Sequence, residues 1–176
     1  TITRGPWRDL PRLDSVKPTI IRNSRWRCDH GIDIDLDDGS SNYEIYNNLC
    51  LAHGLKNREG FFRRVENNII INSSFRPHLW YQGSEDVFRR NIIFQPYLPI
   101  GCRRPWGREI DYNLLHVPGQ HTVQPAKVLQ DMSGHDAHSV IADALFIDPA
   151  HGDFRVRPAS PALALADAPA HTHAMD

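Results

Sequence analysis

The segment "GIDIDLDDGSSNY", residues 31–43, places four aspartates within six positions. Clustered carboxylates can transfer protons, bind a hard cation such as Ca²⁺, or form the polar face of a strand. Apolar residues at 32, 34 and 36 alternate with Asp33, Asp35 and Asp37, which is the period of a half-buried β-strand. The alternation predicts that these three carboxylates point outward together, with Asp38 already in the following turn.

The spacing of these carboxylates bears on glycoside hydrolysis. Alternate residues of a strand lie about 6.5–7 Å apart, because a strand rises roughly 3.3 Å per residue. This is the lower edge of the roughly 6.5–9.5 Å of an inverting glycosidase pair, and above the roughly 5–5.5 Å of a retaining pair. Asp33 and Asp35 are therefore the first candidates for general acid and base, with Asp37, Asp38 or Glu59 as alternative partners.

An asparagine-centred pattern recurs along the chain. It reads "IIRNSRW", "IYNNLCL", "VENNIII", "FRRNIIF" and "DYNLLH", with asparagines at 23, 48, 68, 91 and 113, which are 20 to 25 residues apart. Strand-forming residues surround each asparagine, and Gly, Asn, Ser and Pro separate the segments. The period predicts an all-β parallel β-helix (solenoid) of about five or six coils, in which the asparagines stack as a ladder. Independent hairpin turns in a sandwich are the alternative.

The periodicity also predicts the chain's organisation. Residues 1–117 are expected to form the parallel β-helix coils, and 118–165 an irregular C-terminal capping segment, since a terminal coil must cover an exposed core and sheet edge. The Ala- and His-rich residues 166–176 are expected to form a flexible tail.

The coil after the aspartates carries "GLKNREG". Aligning Gly31 with Gly54 sets Lys56 beside Asp33 and Arg58 beside Asp35. Further residues are expected to line or flank the same surface, namely His30, His53, Arg76, His78 and Trp80. Carboxylates, cations and an aromatic face are what a saccharide site needs. The alternative is that Lys56 and Arg58 only neutralise the acids, because stacked like charges repel.

Composition argues against two classes of partner. The chain has 176 residues, with 20 Lys+Arg against 21 Asp+Glu and a pI of about 6.8. This balance gives no long-range field to attract nucleic acid or an anionic membrane. No apolar run approaches the roughly 18 residues of a membrane span. We therefore expect no nucleic-acid and no membrane partner, and the oligomeric state stays open.

Longer stretches carry a family resemblance. The frame "RNSRWRCDHGIDIDLDDGSSNYEIYNN", then "GLKNREGFFRRVENNIIIN", "RPHLW", "VFRRNIIF" and "DPAHGDFRVRPASPALAL", resembles the C-terminal half of bacterial right-handed parallel β-helix (pectin-lyase-like) carbohydrate-active proteins. Within them it is similar to the fucosidase and xylanase type of glycoside hydrolases. The resemblance implies a right-handed β-helix, a polysaccharide or oligosaccharide substrate and an extracellular or periplasmic location. Such relatives are several hundred residues long, so a fragment, a short member or a decayed copy is expected.

Three functional hypotheses follow. The first is a glycoside hydrolase that uses the paired aspartates and no cofactor. The second is a calcium-dependent polysaccharide lyase, in which Asp33, Asp35, Asp37 and Asp38 hold Ca²⁺ and Lys56 abstracts the proton. Lys56 is a better base than Arg58, whose pKa is too high. The third is a non-catalytic carbohydrate-binding β-helix fragment.

Overall fold

Short strands recur in a fixed order in the computed structural model of the chain, which describes residues 17–81 and 83–166. Each complete coil contributes one strand to each of three parallel sheets. Sheet 1 contains β1 (Thr19–Arg22), β4 (Tyr43–Tyr46), β7 (Arg63–Glu66), β10 (Val87–Arg89) and β12 (Glu109–Asp111). Sheet 3 contains β3 (Ile34–Leu36), β6 (Leu55–Asn57) and β9 (Phe75–Pro77). The predicted all-β parallel β-helix is confirmed.

Sheet 2 is the longest of the three sheets. Its parallel strands are β2 (Arg25–Trp26), β5 (Leu49–Cys50), β8 (Ile69–Ile70), β11 (Ile92–Ile93), β13 (Leu114–His116) and β15 (Val140–Ala142). The strand β14 (Gln124–Pro125) adds to β15 in the antiparallel direction. The parallel pairing thus continues past residue 117.

Equivalent inward positions of successive coils stack into the core. Ile45, Val65, Phe88 and Ile110 form one such row in sheet 1, and all four are fully buried. From sheet 3, the ring of Phe75 stacks on that of Phe88, with centroids 4.1 Å apart. Alternating inward and outward side chains follow from the two-residue period of a strand, so these inward rows are apolar, whereas charged side chains lie on the outer faces of sheets 1 and 3.

In the five described coils that have strands in both sheets, the corner between sheets 1 and 2 is a two-residue turn. Its first residue has positive φ, at 53° to 57°, and is Asn23, Asn47, Asn67, Arg90 or Tyr112 in successive coils. Asparagine tolerates this left-handed conformation better than most residues. The chain therefore turns sharply here, and the second residue of the turn points inward.

That second residue forms the asparagine ladder, which comprises Asn48, Asn68, Asn91 and Asn113. The Nδ2 of Asn68 donates to Asn91 Oδ1 at 3.0 Å, and its Oδ1 accepts the backbone N–H of Asn48 at 3.0 Å. The same contacts recur from rung to rung, and all four asparagines are buried. Each amide thus ties two adjacent coils together.

Asn23 was predicted to belong to this ladder, and that prediction is wrong. Asn23 occupies the outer, positive-φ position of its turn, and Ser24 occupies the inner one. The backbone N–H of Ser24 donates to Asn48 Oδ1 at 3.3 Å. At the other end, Ser139 Oγ accepts the N–H of Asn113 at 2.9 Å. Serine therefore takes the ladder position in both end coils.

The C-terminal segment covers two surfaces. The helix α1 (Lys127–Ser133) places buried Leu129 against the core of the last coils. The hairpin of β16 (Phe146–Asp148) and β17 (Asp153–Val156), joined by a 3₁₀ turn (Pro149–His151), packs with α2 (Pro161–Ala166) on the outer face of sheet 2. The predicted flexible tail, 166–176, lies outside the described residues except for Ala166, which ends α2. In the described ranges no helix is both long and apolar enough to cross a bilayer.

The ladder generates a stability prediction. Asn68→Ala removes hydrogen bonds from Nδ2 to Ile45 O, Glu66 O and Asn91 Oδ1. At about 1 kcal/mol for each, the free energy of unfolding should fall by roughly 3 kcal/mol. The control Asn67→Gly alters the exposed neighbour and suits its left-handed φ, so it should cost under about 1 kcal/mol. Urea unfolding of both variants measures the difference, and equal losses would contradict a ladder that stabilises the fold.

His116 provides a pH-dependent contact between sheet 2 and the C-terminal segment. Its Nδ1 accepts the backbone N–H of Ala144 at 3.0 Å. Its ring lies 4.7 Å from that of Phe94 and 5.2 Å from that of Phe146. Burial lowers the pKa of His116, and the nearby Asp143 carboxylate only partly offsets this effect. The neutral imidazole is therefore the form that the fold requires.

The lowered pKa of His116 determines the direction in which the stability of the fold changes with pH. Because the folded pKa of His116 lies below its unfolded value of about 6.5, the unfolded chain binds more protons in this range. The stabilisation is complete above pH ~6.5 and is lost as the pH falls toward the folded pKa. Thermal unfolding from pH 7.5 to 5 should therefore show a steeper loss of stability for the wild type than for His116→Gln, which keeps an acceptor. Parallel profiles would contradict this assignment.

Candidate functional site

The outer face of sheet 3 carries two columns of ionisable side chains, which we call the sheet 3 strip. In the register, Asp35 lies opposite Lys56, which lies opposite Arg76. The second column, beyond the strand ends, contains Asp37, Arg58 and His78. It follows from the hydrogen bonds of Arg58 N to Leu36 O (2.8 Å) and His78 N to Asn57 O (2.9 Å). Adjacent strands lie roughly 4.8 Å apart, so side chains within each column are neighbours.

The predicted alignment of this strip is wrong by two residues. Matching Gly31 with Gly54 placed Lys56 beside Asp33, whereas the structure pairs Lys56 with Asp35. The reason is the corner between sheets 2 and 3. It spans residues 27–33 in the first coil but only 51–54 in the next, so the two glycines occupy different places.

Asp33 does not lie on the strip, and its predicted outward direction is wrong. The residue precedes β3 and is 8% exposed. Its Oδ2 accepts the backbone N–H groups of Ala52, His53 and Gly54, each at 2.9 Å, and its Oδ1 accepts that of Cys28 at 2.8 Å. Asp33 thus satisfies the backbone of two corners, which is a structural role.

The remaining acids of the first coil are paired with the cations of the second. Lys56 Nζ lies 2.8 Å from Asp35 Oδ1 and 3.4 Å from Asp37 Oδ1. Arg58 contacts Asp37 at 3.1 Å, Asp38 at 3.2 Å and Glu59 at 2.8 Å. Such exposed pairs contribute only about 0–1 kcal/mol each, so they set the local charge more than the stability of the fold.

These ion pairs lower the pKa of Asp37 and raise the pKa of Lys56. The hydrogen bond from Arg58, with further help from Lys56, lowers the pKa of Asp37. Burial alone would lower the pKa of Lys56, but Asp35 and Asp37 outweigh it, and the pKa of Lys56 is raised. At neutral pH Asp37 is therefore a carboxylate. Lys56 is an ammonium group at neutral pH and stays one into the alkaline range.

The third coil of the strip has a different charge balance. Neither Arg76 nor His78 has an ion pair or a side-chain hydrogen bond within the described ranges, and the Nε of Arg76 is buried with no partner there. Beyond them, Leu98 and Ile100 continue the two columns, through the hydrogen bonds of Leu98 N to Phe75 O and Ile100 N to Pro77 O. Ile100 is 56% exposed. The strip thus changes from acidic, through cationic, to apolar.

The other predicted site residues lie off the strip. Trp80 is 5% exposed and packs edge-on against Phe75 in the core, at 5.2 Å between centroids. It follows Leu79, whose φ of 55° turns the chain, so the predicted aromatic sugar platform is wrong. His30 and His53 are exposed in the corners before sheet 3 and flank the strip.

Sequence reasoning missed a groove on sheet 2. It lies between the outer face of that sheet and the C-terminal hairpin, has a volume of about 430 Å³, and is lined by Arg25, Asn47, Leu49 and Phe154 among others. The doubled asparagines at 47–48 and 67–68 border this groove, but the ladder and the left-handed turn already account for both members of each pair, so the sequence carries no separate signal for it.

The fold and the sheet 3 strip define a parallel β-helix protein with a charged outer face. No family model, curated protein or solved structure matches the chain. Across the part of the chain that the structure describes, no group of three His, Cys, Asp or Glu side chains is placed to hold a metal ion.

The contrast between Asp33 and Asp35 can be tested. Asp33→Asn replaces a carboxylate that accepts four backbone N–H groups, so it should lower the free energy of unfolding by roughly 2–3 kcal/mol. The matched change Asp35→Asn removes only an exposed pair and should cost under about 1 kcal/mol. Chemical denaturation measures both values. A larger loss for Asp35→Asn would reverse the two assignments.

Proposed function

We propose that the protein is carbohydrate-active and binds an acidic polysaccharide or oligosaccharide along the sheet 3 strip. The observation that carries the proposal is the pair Arg76 and His78, which point outward two residues apart and have no acid partner among the described residues. The strip acids of the first coil, Asp35, Asp37 and Asp38, are already paired with the cations of the second. The positive charge that is free to pair with an anionic ligand therefore lies in the third coil of the strip.

The chemistry of these groups suits a uronate. A guanidinium presents several N–H donors in a fixed plane and can bind a carboxylate through two parallel hydrogen bonds. His78 lies beside it on the same face, and Leu98 and Ile100 offer apolar contacts for the C–H face of a sugar ring. An extracellular or periplasmic location is consistent with such a ligand.

Binding is better supported than catalysis on this face. A general acid near neutral pH needs a carboxyl group with a raised pKa. Asp37 has a lowered pKa, and Asp35 is already held in an ion pair, with Lys56 Nζ 2.8 Å from its Oδ1. The lyase alternative requires a neutral lysine, whereas the pKa of Lys56 is raised. The ion pairs of the first two coils thus disfavour both the protonated carboxyl group that hydrolysis needs and the neutral lysine that elimination needs.

Glycoside hydrolysis is the second candidate. The observation that favours it is that Asp35 and Asp37 occupy consecutive outward positions, with Lys56 Nζ within 3.4 Å of both. Asp37, held ionised by Arg58, would activate water as the base, and Asp35 would protonate the leaving group. A bound anionic ligand would have to weaken the contact of Lys56 with Asp35 for this division of roles to operate.

Calorimetric titration with trigalacturonate tests the binding proposal. Arg76→Gln should weaken binding by roughly tenfold or more, because a charge-assisted hydrogen bond contributes about 1.5–3 kcal/mol. The matched control Arg64→Gln makes the same charge change on sheet 1, where Arg64 pairs with Glu66, and should leave the affinity unchanged. An uncharged trisaccharide should bind more weakly than the uronate. Unchanged affinity in Arg76→Gln would overturn the proposal.

The hydrolysis candidate needs a separate measurement. Incubation of the protein with polygalacturonate and with neutral polysaccharides should release reducing ends if the strip is catalytic. Asp35→Asn and Asp37→Asn should then both abolish the release while the protein stays folded. Products that absorb in the ultraviolet would instead indicate elimination, and no release at all would leave the strip as a binding surface.

A further inference from the structure

The groove on sheet 2 is open where the C-terminal hairpin stops covering the sheet. Outward residues of successive strands form its floor, in the order Arg25, Leu49, Ile69, Ile92 and Leu114. The hairpin and α2 pack over Ile92 and Leu114, which are buried. Leu49 and Ile69 are only half-buried and line the cavity.

The size of the groove is that of a small-molecule site. The cavity of about 430 Å³ adjoins a second space of about 510 Å³, and both are lined by Arg25, Leu49, Ile69, Phe154 and Arg155. Ligand pockets commonly have volumes of about 300–1,000 Å³ and are mostly apolar, with a few placed polar groups. Phe154, Val156 and Leu163 supply an apolar wall opposite the apolar floor.

Charge in the groove is predominantly positive. Of the residues that the structure describes, three arginines line it, Arg25, Arg90 and Arg155, and the only acid is Asp153, which pairs with Arg155 at 2.7 Å. Arg25 donates to the backbone oxygen of Gly152 at 3.3 Å and has no carboxylate partner within the described residues. One guanidinium therefore stands at the open end of an apolar floor without a counter-charge.

Amide groups border the same space. Asn23 has no side-chain hydrogen bond in the part of the chain described, and Asn47 uses only its Oδ1, which accepts from Asn67 Nδ2 at 2.7 Å. The Nδ2 groups of Asn23 and Asn47 therefore keep their donors available. Both Asn23 and Asn47 line the cavity. Their Nδ2 donors and the guanidinium of Arg25 share a preference for anionic oxygen.

We propose that this groove is a second binding site, which takes a small organic carboxylate with an apolar body. The apolar body lies on Leu49 and Ile69 against Phe154, and the carboxylate meets Arg25 with the amides of Asn23 and Asn47. This site is on a different sheet from the strip and does not depend on saccharide binding there. The amphipathic character of the ligand follows from an apolar floor that ends at an uncompensated cation.

The test uses two probes of equal shape and different charge. In calorimetric titrations of the full chain, 2-naphthoate should bind, and its uncharged analogue 2-naphthamide should bind at least tenfold more weakly. Arg25→Gln should weaken naphthoate by a similar factor and leave naphthamide unchanged. The matched control Arg27→Gln removes an exposed arginine outside the groove, which pairs with Asp29, and should change neither affinity.

A second variant tests the floor. Ile69→Thr keeps the β-branched shape but makes the floor polar, so it should weaken both probes, whereas Arg25→Gln acts on the charged probe alone. Thermal unfolding of each variant verifies that it is folded. Equal affinity for the two probes, no binding of either, or the same effect from Arg27→Gln would overturn the proposal. Displacement of naphthoate by trigalacturonate would also overturn it, since the groove would then belong to the saccharide site.

Discussion

The stacked amides of the asparagine ladder are the contact on which the other parts of this structure depend. A primary amide both donates and accepts, so one side chain can bond to the coil above and the coil below at the same time. Asn48, Asn68, Asn91 and Asn113 do this in a buried row. Because each rung fixes the angular position of a two-residue turn, sheets 1 and 2 keep the same register from coil to coil.

The repeat was predictable from the sequence, whereas the register of sheet 3 was not. Asparagines at intervals of 20 to 25 residues mark the corner between sheets 1 and 2, which has the same two-residue length in the five coils where the structure describes it. The corner before sheet 3 has no such marker, and its length differs between the first two coils. An alignment on Gly31 and Gly54 therefore placed every charge of the strip two residues away from its true neighbour. The local sequence determines where a strand forms, but the length of the preceding corner determines which residues of the neighbouring strand it pairs with.

The aspartates of one short segment show why a pattern of residue types underdetermines a site. Asp33 is enclosed by backbone N–H groups, Asp35 meets an ammonium, and Asp37 meets a guanidinium. In the sequence the three are equivalent members of an alternating run. The difference arises because β3 begins only at Ile34, so Asp33 belongs to the corner and turns inward. Trp80 was predicted on the strip but lies in the core for a related reason, because the backbone at Leu79 is left-handed and turns the chain.

The unequal corners have a consequence for how recognition and folding are coupled. The turn that carries the ladder cannot lengthen without displacing a rung, whereas the corners on both sides of sheet 3 already vary, as residues 27–33 and 78–86 show beside their shorter counterparts. Sheet 3 is therefore the face where loops can grow or shrink while the hydrogen-bonded spine stays intact. A groove beside the ladder, as on sheet 2, has one wall that is fixed by the fold, whereas the strip can be reshaped from either side.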